Sequence, residues 1–145
     1  MAEIHQGRDF PRGRMPTTEE FHAMALEAWE RIPQDFRDMC GNVVIRVVDF
    51  PDDDVMREME LDSSYDILGL FEGVGLAHAG ELPTGTMPNI VTLYRKPIVA
   101  YWQDYEETLE DLVAHVLIHE IGHHFGLSDD DMYGLEDEAA REEGA

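Results

Sequence analysis

Two histidines four residues apart inside an apolar run constrain this chain more than any other feature. In LEDLVAHVLIHEIGHHFGLSD, Leu109 to Asp129, apolar residues recur at helical spacing at Leu109, Leu112, Val113, Val116 and Leu117. His119, Glu120 and His123 spell H-E-x-x-H within that helix. Side chains four apart share a helical face with Cβ atoms about 5–6 Å apart. Two imidazoles so placed can converge on one ion with bonds of about 2.0–2.1 Å, an arrangement that suits zinc. Glu120 is turned about 100° from His119, beside the open side of such an ion, and is placed as a base for water. Ile118, Ile121 and Phe125 fall away from the two histidines, so the helix is apolar almost all round and is expected to be buried.

The residues that follow extend the pattern to H-E-x-x-H-x-x-G-x-x-D, through His123, Gly126 and Asp129. Gly126 can take the left-handed conformation that ends a helix and reverses the chain. The turn carries Asp129 back toward the imidazoles as a third ligand. Asp130 and Asp131 compete for that role, and the spacing from Gly126 favours Asp129. Three protein ligands and one open position make a catalytic zinc site, whereas a structural zinc is usually closed by four.

The string HEIGHHFGLSD resembles the signature of the zincin-like minimal metallopeptidases, a family of small bacterial domains. It is also similar to the metzincin pattern H-E-x-x-H-x-x-G-x-x-H, with Asp129 where the last histidine stands. YDILGLFEGV and NIVTLYRKPI precede the long helix in the family's order, so the resemblance covers roughly residues 17 to 132. It implies a zinc cofactor held by His119, His123 and Asp129, with Glu120 as the catalytic base, and a peptide or protein substrate. It also implies an antiparallel edge strand bordering the cleft, for which residues 67–72 are the candidate. Two departures stand out. The only methionine beyond the motif is Met132, three residues past Asp129, and only thirteen residues follow it. Met132 either underlies the site or packs. A chain this short past the motif leaves open an alternative to the peptidase: a zinc-binding regulatory or interaction module without an effective cleft.

Charge removes other classes. Lys and Arg number 10 against 32 Asp and Glu, a formal net charge of −22. Binding to phosphate backbones depends on basic residues, so neither nucleic acid nor an anionic membrane is an expected partner. The same charge opposes a zinc ribonuclease, a class that shares the ligand spacing without the glutamate after the first histidine. The cysteine motif of peptide deformylases is absent. Cys40 is the sole cysteine, so no intrachain disulfide forms. It reads as a small buried side chain. No run of signal-peptide or membrane-spanning length is present, and a cytoplasmic location is expected. Nothing in the sequence specifies an oligomer.

The expected organisation is a flexible arm over residues 1–16 and a single domain over 17–145 ending in an acidic, solvated tail. Thr17 and Glu20 make a capping box for a helix whose apolar stripe is Phe21, Met24, Ala25, Ala28 and Ile32, with His22 off the stripe in solvent. NVVIRVVDFP reads as a strand buried on both faces. The acidic stretch after it carries one short helical turn around Asp54 to Met59. ILGLFEGV and NIVTLYR read as strands, separated by a glycine- and proline-rich loop that carries His78 as a surface residue. IVAYWQD is either a short strand or a helical turn. Asp104 with Glu107 is the expected cap of the long helix, on which His115 lies toward a polar flank and His124 away from the ligand face. Ser128 with Asp131 is the expected cap of a final helix. Tyr133 is either a donor to a developing oxyanion or a packing aromatic. These elements make an α/β or α+β fold: a small mixed sheet of about three to five strands packed on the N-terminal helix and the buried H-E-x-x-H helix.

Overall fold

The structure is a computed structural model and describes residues 14–72 and 89–144, the last five by backbone alone. His78 and the loop around it, and most of the expected N-terminal arm, lie outside the described residues.

The expected stripe builds helix α1, Thr18–Arg31, with its capping box in place: the Thr17 hydroxyl accepts from the Glu20 amide, and the Glu20 carboxylate accepts from the Thr17 amide at 2.9 Å. Phe21, Met24, Ala25 and Ala28 are all buried. The chain just ahead of the helix is docked, since the carbonyl of Pro16 accepts from Arg95 at 2.7 Å. His22 is half-buried rather than solvated, and its Nε2 meets the carbonyl of Ile45 at 3.0 Å. A short α2, Gln34–Cys40, buries Cys40 beneath it.

Strands β1, Val43–Val48, β2, Gly69–Glu72, and β3, Asn89–Tyr94, form a mixed sheet in the order β1-β3-β2. β1 runs parallel to β3 with Ile45 opposite Val91, and β2 runs antiparallel to it with Phe71 opposite Val91. The expectation of a doubly buried β1 is corrected: among the described residues β1 lies at an edge, and of its residues only Ile45 is buried. Its valines reflect strand propensity. The central strand is β3, where Val91, Thr92, Leu93 and Tyr94 are all buried. The expected edge strand is present as β2, which pairs only with β3 among the described residues. Between β1 and β2 lies the short α3, Asp53–Glu58, capped by Asp52.

Arg95–Trp102 is a helix, α4, which settles the IVAYWQD segment. Its Pro97 sits in the first turn, where the missing N–H costs nothing. The long helix, α5, spans Leu109–His124, and its cap is Thr108, whose hydroxyl accepts from the Asp111 amide at 3.0 Å. The expected Asp104–Glu107 cap is therefore displaced by four residues, because Thr108 offers the same geometry immediately ahead of the first buried leucine. Leu109, Leu112, Val113, Leu117, Ile118 and Ile121 are wholly buried, which makes α5 the centre of the core between α1, β2 and α4. The first turn also buries Glu110, which pairs with Arg31 of α1 at 2.5 Å.

The expected final helix is present as α6, Asp129–Gly144. Its start is capped as expected, the Ser128 hydroxyl accepting from the Asp131 amide at 3.1 Å. α6 folds back on α5 and α1 and buries Met132 and Ala139 against them. The fold is α+β, with six helices and three strands among the described residues.

Candidate metal centre

The turn between α5 and α6 is set by one residue. Gly126 has φ +77°, and the Leu127 amide bonds the Gly122 carbonyl at 3.0 Å while the Gly126 amide bonds that of His123 at 3.1 Å. This is the glycine-terminated helix end in which the two residues after the cap satisfy the last carbonyls. Left-handed backbone at Gly126 is as expected. Below the turn, Met132 packs against the missing side chain of Gly122, so it belongs to the core under the second histidine.

His115, His119 and His123 follow one another at four-residue spacing on α5. The His119 and His123 rings stand 6.0 Å apart and nearly perpendicular, and the His115 and His119 rings are 4.1 Å apart and tilted by 31°. His123 is exposed and His119 half-buried. Asp129 opens α6 and is exposed. Among the described residues the side chains brought within 4.8 Å of one another as potential ligands are not His119, His123 and Asp129 but His115, His119 and Glu136. Glu136 comes from α6: its Oε2 is 2.5 Å from His119 Nε2, and both its oxygens are 3.2 Å from His115 Nδ1. Burial opposes ionisation of Glu136, but the hydrogen bonds and charges of His115 and His119 hold its carboxyl below the ordinary range. Tyr133, the aromatic in question, is exposed with its ring 5.6 Å from that of His119.

Glu120 points elsewhere. It is half-buried beside β2, where a Cβ added to Gly69 would stand 3.5 Å from Glu120 Cγ and 2.9 Å from Val116 Cγ1. Only a glycine lets the edge strand lie this close to the helix. Burial raises the Glu120 carboxyl above its ordinary value, with His123 pulling the other way. His124 is turned from the ligand face and stacks edge-on against Phe71 of β2 at 4.7 Å.

Zinc fits this surface. The donors are imidazole nitrogens and carboxylate oxygens, the set that zinc takes. His119 Nε2 is directed out of the helix toward a carboxylate, so the ring already presents a ligand atom to a charged partner. Sequence reading missed Glu136, since its approach depends on how α6 is set against α5. The one available signal was Met132, Glu136 and Ala139 at helical spacing, which puts Glu136 on the face that packs.

No helix among the described residues is long and apolar enough to cross a membrane. No curated protein matches the chain. The sequence profile described as zincin-like metallopeptidase matches residues 40–139, from the end of α2 to the buried Ala139 of α6. That span holds the three strands, the H-E-x-x-H helix and the first eleven residues of the helix folded back on it, and on this match the chain belongs to the zincin-like metallopeptidase family.

Proposed function

We propose that the protein is a zinc-dependent peptidase in which His119, His123 and Asp129 hold the metal and Glu120 is the general base. The observation that carries this reading is the position of Glu120: a carboxylate raised by burial, on the same helix as both histidines, against the backbone of the edge strand β2. Zinc bound by these residues would supply Lewis acidity, polarising a peptide carbonyl and lowering the pKa of water toward about 7. Glu120 takes the proton from the attacking water and returns it to the leaving amine, a task helped by a pKa shifted toward neutrality. β2 offers main-chain groups along which an extended peptide can add as a further strand, and the glycine at its start brings that strand against Glu120. The experiment is a paired one: zinc content and hydrolysis of a broad fluorogenic peptide library for wild type and Glu120→Gln. Zinc in both and cleavage by wild type alone supports the reading; no zinc in either removes it.

The contact between Glu136 and His119 favours a second reading, a zinc-binding regulatory or interaction module. There a protein carboxylate takes the place at the histidines that a substrate would need. Zinc in both proteins without cleavage by either would point to it.

A further inference from the structure

His115, His119 and His123 make two overlapping pairs on one face of α5, and α6 returns past them in the opposite direction. Asp129, Tyr133 and Glu136 are spaced four and three residues apart, a pattern that keeps side chains on one side of a helix. Antiparallel helices therefore set the start of α6 level with His123 and its third turn level with His115. The observed contacts agree, with Tyr133 against His119 and Glu136 against both His119 and His115.

We propose that His115, His119 and Glu136 form a second position for a divalent transition-metal ion, one helical turn along α5 from the His119–His123 pair. The two imidazoles have the same four-residue spacing as the motif pair, and each directs a ring nitrogen at one carboxylate on another helix. The three ligand atoms all lie within 4.8 Å of one another. Glu136 is not a loosely tethered surface side chain: it lies between Met132 and Ala139, both buried against the body of the protein. Its side chain is 25% exposed and that of His119 15% exposed. Two nitrogens and an oxygen leave the ion open to water or to an external ligand. Because His119 serves both positions, the two hold one ion between them at a time, and an ion on His115, His119 and Glu136 leaves His123 and Asp129 unused. Metal binding and hydrolysis are thereby separable. This inference does not rest on the peptidase reading, as its ligand set shares only His119 with that site and it is read by binding alone.

The test is titration of the full metal-free chain with Co2+, followed by visible absorption. In the double variant His123→Ala with Asp129→Asn, the position built on His119, His123 and Asp129 is removed. Both residues are exposed, so the fold is kept, and an unchanged thermal melt verifies it. The expected result is one Co2+ per chain with the absorption of a nitrogen- and oxygen-ligated ion. Adding Glu136→Gln, or separately His115→Asn, to that background should weaken Co2+ binding by at least about tenfold. A double variant that binds no Co2+, or one whose affinity neither added substitution changes, overturns the proposal and leaves the cluster as a hydrogen-bonded bridge between helices. Peptide hydrolysis, measured separately, can fail without affecting this outcome.

Discussion

The sulfur of Met132 occupies the space that a side chain at Gly122 would need: a Cβ there would stand 2.6 Å from Sδ and 3.0 Å from Cγ. The contact joins α6 to α5 directly beside His123, so packing and site geometry are coupled at this point. Gly122→Ala gains helix propensity but must displace a wholly buried side chain. Overpacking of this kind costs about 1–3 kcal/mol. Urea denaturation should therefore give a lower midpoint for Gly122→Ala, and adding Met132→Ala should recover part of the loss caused by overpacking; additive losses in the double variant would rule out the steric account.

Arg31 and Glu110 form an ion pair in which the glutamate is wholly buried and the arginine side chain 15% exposed. Removing one partner of a buried pair costs about 3–5 kcal/mol, since the other charge is left in a poorly solvating environment. Arg31→Met should thus be far more destabilising than Glu110→Met with Arg31→Met together. Equilibrium unfolding of the two singles and the double measures the coupling.

Burial pushes the Cys40 thiol up to about 12. The thiolate is the reactive form, so alkylation of the native protein at pH 8 should be much slower than that of the urea-unfolded chain. The raised value also predicts a pH effect. Below the unfolded value near 9 both states keep the proton; above it the unfolded chain ionises first, and stability falls as pH rises toward about 12. Cys40→Ala should lack that component of the alkaline loss, as read by melting temperature against pH.

Gly69 allows β2 to approach Val116 and Glu120. A Cβ at this position would lie 3.2 Å from the Thr92 carbonyl oxygen and 2.9 Å from Val116 Cγ1, so Gly69→Val should push the edge strand from the helix. On the peptidase reading the variant keeps its zinc and loses at least about tenfold in kcat/KM, since small misplacements of catalytic groups are costly. Equal activity in the variant would detach β2 from substrate positioning.

His119 is common to both proposed metal positions, and His119→Ala is expected to abolish stoichiometric zinc binding. His123→Ala should keep metal and lose hydrolysis, and Glu120→Gln should do the same for a different reason. Elemental analysis alongside peptide cleavage separates these outcomes.

Local features were legible in the sequence to the extent that their physics is local. The Thr17 capping box, the stripe of α1, the glycine-ended turn at Gly126 and the buried character of α5 each depend on residues within a few positions of one another. The cap of α5 was misplaced because Asp104–Glu107 and Thr108–Asp111 are both good starts, and the choice fell to the burial of Leu109. β1 could not be assigned to an edge from its valines, since strand order depends on β3, more than forty residues later. Glu136 was missed for the same reason on a smaller scale. Its place at His119 depends on the register of two helices, fixed by Met132 under Gly122, and acidic residues in a highly acidic stretch carry no mark of that register.

The core of this protein is assembled around α5 by side chains that take no part in holding an ion. Leu109, Leu112, Leu117, Ile118 and Ile121 are sealed from solvent on the other faces of the helix, while the histidines lie along its open side. The packing that holds the fold is thus separate from the side chains proposed to bind metal, and the open side of the helix can exchange one ligand set for another without reopening the core.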